Sequence, residues 1–346
     1  AIGCSFLVDL HDRAMNASER TDMFYEWQIK ESDQKFITAY EQFCGYMGLD
    51  CSRPNDIQTS VSFLKRIHFY NLSEASLCEY NKTLIEFLFC TEHQTVYNAL
   101  LYLVIDKDIL GKEITATFLR DFLQDQEIKF RLMDSNPSIL QCIEELNSEF
   151  HLGFLPLHRE LIDRPEFKEC IDVLENEKNL IISGNAGYGK SGCAEAIIKY
   201  CENEKIPYIA LKLDRRIPHG NSEAWGKELG LGGSVSYALH SISKNEQAVL
   251  LLDQLDALRW TQSNSSEALY VCVELLKQVK QLNLTRDKKI SIVFVCRSYD
   301  LNHDNNIKSL FETDSAENGE KDDWEIVNIR LLNEKTVEHI VGKQYS

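Results

Sequence analysis

One run of eight residues, Gly184-Asn185-Ala186-Gly187-Tyr188-Gly189-Lys190-Ser191, constrains the fold of this chain more than any other stretch. It follows an apolar run, Leu180-Ile181-Ile182-Ser183, and precedes a helix-like run from Cys193 to Ile198. Strand, glycine-rich loop, Lys-Ser and helix in that order form a phosphate-binding loop. Glycine allows the backbone amides to turn inward around an anion. The helix after the loop adds unpaired N–H groups and the positive end of its dipole. The residues expected to contact a nucleotide are therefore Gly184, Asn185, Ala186, Gly187, Tyr188, Gly189, Lys190, Ser191 and Gly192. Lys190 is expected to reach the outer phosphates and the Ser191 hydroxyl to hold Mg²⁺.

A loop of this kind sits at the carboxyl edge of a parallel sheet, and from Asn179 onward the pattern alternates between strand and helix. Strands are expected at 180–183, 208–213, 248–253, 290–296 and 325–329, with helices around 224–229 and 267–282. Residues 1–150 read as mainly helical. Phe36, Ile37, Tyr40, Phe43 and Cys44 make one apolar helix face, Thr115–Leu123 reads as a further helix, and Asn136-Pro137-Ser138 looks like a helix start. Val61 to Phe69 suggests a short helix running into a strand, Ser73 is placed to cap a helix through Phe87, and Asn98–Ile105 is ambiguous between helix and buried strand. The expected organisation is a helical domain over 1–150, a linker over 151–163 and an α/β nucleotide-binding domain with a five-stranded parallel sheet over 164–346. Asn333 is placed to cap a last helix, and 314–323 reads as a solvated acidic loop.

The net charge of −17 argues against nucleic-acid binding by the surface as a whole, while leaving a local basic patch open. Eleven cysteines, an odd number without a CxxC pair, read as reduced core thiols in a cytoplasmic protein, with neither a disulfide frame nor a zinc site. No apolar run approaches a membrane span. The chain starts at Ala1 without Met and stops soon after a helix-like segment begins near Glu334, which suggests a piece of a larger protein; a processed or trimmed chain would have the same ends. Glu127-Ile128-Lys129 and Gln28-Ile29-Lys30 fit fragments of a metal-dependent nuclease motif, but a solvated helix face explains such triplets more simply. His68 and His240 read as partly buried structural residues.

The second half of the nucleotide site is expected at Val249-Leu250-Leu251-Leu252-Asp253. An acid at the carboxyl end of a buried strand lies at the ligand edge of the sheet, where Asp253 would hold Mg²⁺ opposite Ser191. Asp256 is placed either to orient or deprotonate the attacking water or to cap the next helix. Arg297, at the tip of the fourth strand, is placed to sense the γ-phosphate and stabilise charge during transfer, with a surface ion pair as the simpler reading. Arg164, just ahead of the first strand, is a candidate for contact with the base or the phosphates.

These residues carry a family resemblance. Gly184–Ser191 matches the GxxGxGKS form of Walker A. Leu252-Asp253-Gln254-Leu255-Asp256-Ala257-Leu258 resembles the LDxLDxL Walker B of the STAND class, the signal-transduction ATPases with numerous domains. Phe294-Val295-Cys296-Arg297 is similar to their sensor-1 strand. Ile162-Asp163-Arg164-Pro165-Glu166 resembles their Arg-x-Glu motif, with Asp163 where Gly is usual. Among subfamilies the chain looks most like the bacterial antiphage (Avs-type) ATPases, relatives of NACHT and NB-ARC receptors. The resemblance implies an ATP/ADP switch in which exchange of nucleotide permits homo-oligomerisation and activates an effector, often a nuclease or protease in the family, with effector, lid, winged-helix and sensor parts outside this chain. Where AAA+ enzymes carry Glu after the Walker B Asp, this chain has Gln254, so slow hydrolysis is expected unless Asp256 supplies the missing group. A rapid AAA+-like motor and a non-hydrolysing, nucleotide-stabilised scaffold are the competing readings.

Overall fold

The computed structural model describes residues 4–16, 34–67, 74–109, 114–131, 133, 136–155, 161–259, 265–311, 324–333 and 336–338. Gln28-Ile29-Lys30, His68, Phe69, Ser73 and the acidic loop at 314–323 lie outside the described residues. The chain divides into two compact units, Ala1–Leu72 and Ser73–Ser346. The helices of 74–152 thus group with the sheet, whereas the sequence suggested a division near 150.

The first unit holds α1 (Cys4–Asn16), α2 (Gln34–Met47) and α3 (Pro54–Leu64). The spacing seen in the sequence has its cause here, because Tyr40, Phe43 and Cys44 of α2 pack with Leu10, Ala14 and Leu64. The helix expected at Val61 is the end of α3, which stops at Leu64 and turns through Lys65 and Arg66; the strand expected towards Phe69 runs outside the described residues.

The second unit begins with α4 (Glu74–Leu88), α5 (His93–Ile105), α6 (Ala116–Asp125) and α7 (Pro137–Leu152). Thr115 caps α6 by accepting from Phe118 N, and Asn136 caps α7 by accepting from Ser138 N. Glu127-Ile128-Lys129 is not on a helix face. Glu127 is left-handed (φ 58°), Ile128 is buried, and the Lys129 amide donates to Thr91 Oγ1 beside a bridge between Phe89 and Phe130.

The sheet is built from β1 (Asn179–Gly184), β2 (Tyr208–Lys212), β3 (Ala248–Asp253), β4 (Ile290–Arg297) and β5 (Trp324–Asn328), all parallel in the order β2-β3-β4-β1-β5. The strands β1 to β4 carry mainly apolar runs because both faces are covered, whereas the edge strand β5 buries only Val327. Alternate residues serve opposite cores. Ile181, Leu250, Leu252, Ile292 and Phe294 pack with Trp225, Tyr237 and Leu275 on one face. Leu180, Ile182, Leu251, Val293 and Val295 pack with Cys170, Cys193 and Ile197 on the other. The helices around the sheet are α8 (Pro165–Glu175), α9 (Lys190–Glu204), α10 (Ser222–Glu228), α11 (Val235–Ser243), α12 (Ser265–Asn283), α13 (Ser298–His303) and α14 (Asn305–Phe311).

The β2 edge is closed by α7. Asn147 Nδ2 donates to Tyr208 O at 3.0 Å, and Asn147 Oδ1 accepts from Ala210 N at 2.9 Å. One side-chain amide thereby takes the place of a neighbouring strand. His240 is a structural residue, 2.7 Å from Arg286 Nη1 and edge-on to Phe87. The cysteines among the described residues are free thiols; six are buried, while Cys78 and Cys90 are exposed. No helix among the described residues is long and apolar enough to cross a membrane.

Candidate functional site

The loop between β1 and α9 uses its glycines where the backbone demands them. Gly187 (φ 80°) and Gly189 (φ 93°) are left-handed, a conformation costly to residues with a Cβ. At Gly189 a Cβ would also lie 2.8 Å from Arg164 Nη1. The turn they make delivers Lys190 to the first position of α9, with Ser191 and Gly192 in the same turn. The Lys190 ammonium donates to Gly184 O and Asn185 O, both at 3.0 Å, and so lies across the mouth of the loop. Burial lowers its pKa, against the raising effect of Asp256 and Asp253.

The acids converge from β3. Asp253 ends that strand at 1% exposure; its Oδ1 accepts from Gln254 N at 2.8 Å, and its Oδ2 is buried with no hydrogen-bond partner among the described residues. Burial pushes its carboxyl up to about 6, opposed by the neighbouring Lys212. A buried carboxylate oxygen without a donor, set beside a loop that carries a hydroxyl at Ser191, is the oxygen chemistry a hard divalent cation takes. Gln254 turns the chain through a left-handed conformation (φ 61°). Asp256 comes next, in a 3-10 turn over Leu255–Arg259, and is nearly buried.

Arg297 ends β4 opposite Gly184, the first residue of the loop. Its Nε meets Asp256 Oδ2 at 2.8 Å, with the guanidinium half exposed and the carboxylate buried. Burial raises the Asp256 pKa, and Arg297 opposes that shift. The two residues that the sequence offered in separate roles are therefore ion-paired to each other. Lys190, Asp253, Asp256 and Arg297 lie within one field at the carboxyl edge of the sheet.

Arg164 lies behind the loop. Its Nη1 donates to Tyr188 O, and its Nη2 donates to Arg330 O and, at 3.3 Å, to Glu166 Oε1. It also lines an open cleft of about 370 Å³ beside the loop. The other walls are Phe154, Leu155, Leu161, Ile162, Phe167, Gly187, Tyr188, Gly189, Gly192, Leu331, Leu332 and Val337, almost all apolar. An apolar cleft opening beside the glycine loop has the chemistry that suits a nucleotide base.

Three residues of the site were not singled out from the sequence. Lys212 is in register with Asp253 across β2 and β3; its ammonium is buried, donates to Gly153 O at 2.9 Å and sits 5.0 Å from the Phe150 ring centroid. The only sequence signal was a lysine ending an apolar strand. His151, on the last turn of α7, shares hydrogen bonds with Glu195 (2.7 Å) and Glu202 (3.2 Å) of α9. Glu166, quoted only as part of a motif, accepts from Arg330 N at 3.2 Å.

A family model described as Novel STAND NTPase 3 matches residues 161–344, slightly more than half of the chain. The match begins just ahead of Arg164 and takes in the whole sheet. No curated protein matches the chain.

Proposed function

The chain belongs to the novel STAND NTPase 3 family, and from that footing we propose that it is a slow, Mg²⁺-dependent ATP/ADP switch. Membership makes it a nucleotide-hydrolysing switch in general terms. The observation that supports slow turnover is the 2.8 Å Asp256–Arg297 pair, together with Gln254 in the position next to Asp253. An acid locked to a guanidinium is a poor base for water, and an amide cannot accept the proton at all.

In this reading the Gly184–Gly192 loop and the α9 amides bind the phosphates, and Lys190 leaves its two loop carbonyls for the β- and γ-phosphate oxygens. Ser191 and Asp253 would hold Mg²⁺, which when bound would neutralise phosphate charge. Arg297 keeps Asp256 on its Nε while the exposed edge of its guanidinium turns to the γ-phosphate, so the acid stays locked when ATP is bound. The adenine occupies the cleft between the loop and Leu331–Leu332. By resemblance to its class, exchange of ADP for ATP would license homo-oligomerisation and activate an effector in a defence setting.

The test of slow turnover is Gln254→Glu. Restoring a carboxylate beside Asp253 is expected to raise steady-state ATP hydrolysis by about tenfold or more, within the range general-base catalysis supplies. ADP affinity is expected to stay within about threefold, a free-energy change under 1 kcal/mol. An unchanged hydrolysis rate would show that Gln254 is not what limits turnover.

A further inference from the structure

Both backbone polar groups of one residue, Arg330, are captured by a pair of side chains from the start of α8. The Arg330 amide donates to Glu166 Oε1 at 3.2 Å, and the Arg330 carbonyl accepts from Arg164 Nη2. The other arm of the same guanidinium holds the Tyr188 carbonyl in the phosphate loop. Arg164 and Glu166 are nearly buried and bonded to each other at 3.3 Å. Burial pushes the Glu166 carboxyl up, but its own amide, the Arg330 amide and the Arg164 guanidinium outweigh that and hold it below its ordinary value. A planar guanidinium with forked donors can bridge two carbonyls in fixed geometry, which an ammonium cannot.

The held segment leads straight into the wall of the cleft. Ile329 still pairs with the sheet through Ser183 O, and Leu331 and Leu332 then form the wall that faces the loop. Leu331, the first residue of that wall, is exposed, and Arg330 immediately before it is held by Arg164 and Glu166.

We propose that Arg164 and Glu166 are a positioning pair that locks the phosphate loop to the segment leaving β5, so that base and phosphates are bound by one rigid unit. The proposal rests on the nucleotide reading of this site. It assigns Arg164 to the back of the loop, holding carbonyls, in place of a direct contact with phosphate. It also makes the segment at 329–332 the place where occupancy of the loop is felt.

A double-mutant cycle on the full chain tests this, using Arg164→Lys, Leu332→Ala and the double variant, with calorimetric affinities for Mg·ADP and for pyrophosphate. A pair that positions the wall predicts that Arg164→Lys and Leu332→Ala each weaken ADP about tenfold, and that the double variant is scarcely worse than either, because both disable the same wall. Pyrophosphate, which does not reach the cleft, is expected to lose less than about threefold in each variant. Equal losses for pyrophosphate and ADP in Arg164→Lys, with additive effects in the double variant, would mean direct phosphate contact and overturn the proposal. Glu166→Gln keeps the side-chain size and an acceptor oxygen, and so remains testable if Arg164→Lys fails to fold. It is expected to weaken ADP by about three- to tenfold and to raise amide exchange at 329–332 in the ADP complex; unchanged exchange there would contradict the coupling. Lys190→Ala separates the two claims. If it retains pyrophosphate binding, the reading of the loop has failed; if it loses pyrophosphate while the cycle is additive, only the positioning role has failed.

Discussion

Lys190→Ala is expected to abolish measurable binding of ADP and ATP, a loss of at least about 100-fold, or roughly 3 kcal/mol. The ammonium is the one side-chain cation in the turn that opens α9, and it already spans two carbonyls of the loop at 3.0 Å. Its burial means that it gives up little further hydration when it turns to phosphate. The nucleotide-free fold loses only those two carbonyl contacts, at a cost of about 1–2 kcal/mol. Thermal scans should therefore show a slightly lower Tm without nucleotide and no rise when ADP is added, whereas the unsubstituted chain gains stability as ligand concentration exceeds Kd. A nucleotide-dependent rise that survives the substitution would place phosphate binding elsewhere.

Asp253→Ala carries the second large effect, and it runs in opposite directions for function and stability. Hydrolysis should fall at least about 100-fold and lose its dependence on Mg²⁺, while binding of ADP in EDTA persists. Stability should rise. The buried Asp253 carboxyl titrates near 6 in the folded chain against an ordinary value of 3.8. A raised acid favours the protonated folded state, so its cost is absent below the unfolded value, grows as pH rises through 6 and is complete by neutral pH. That cost is on the order of 3 kcal/mol at neutral pH. Alanine removes it together with the unpartnered Oδ2, and forfeits the Gln254 N–H bond, worth about 1 kcal/mol. The variant should therefore be more stable by about 2 kcal/mol near pH 8, with the advantage gone near pH 4, in denaturant titrations at both values. A variant less stable than the parent at high pH would mean that the carboxylate has partners in the free protein.

The legible parts of this fold are those written in short stretches. The strands β1 to β4 were readable because two-sided burial makes each a mainly apolar run, and the loop because Gly187 and Gly189 must adopt left-handed backbone. The start signal at Asn136-Pro137 placed α7, and Asn333 accepts from Thr336 as its sequence position suggested. The short helix α11 was not readable, since nine residues after a glycine cluster carry too little period to outweigh the turn signal. Glu127-Ile128-Lys129 read as a helix face because its polar ends hid the one residue, Ile128, that tertiary packing buries.

The site divides in the same way. Lys190, Asp253, Asp256 and Arg297 were visible because each lies at or just beyond a strand end or helix start on the same sheet edge. Their pairing was not, because whether Arg297 reaches Asp256 depends on the path of the 3-10 turn after Gln254. Lys212 and the Glu166–Arg330 contact were hidden for a related reason. Their partners are the carbonyl of Gly153 and the backbone of Arg330, and backbone groups carry no residue-type signal.

The most direct measurement is the single-turnover rate of ATP hydrolysis by the chain, followed with Mg²⁺ and with EDTA. A switch built on Gln254 and a guanidinium-locked Asp256 should turn over far below about 1 s⁻¹, the lower end of ordinary enzyme rates, and only with Mg²⁺. Turnover of about 10 s⁻¹ or more, or a rate indifferent to EDTA, would contradict it.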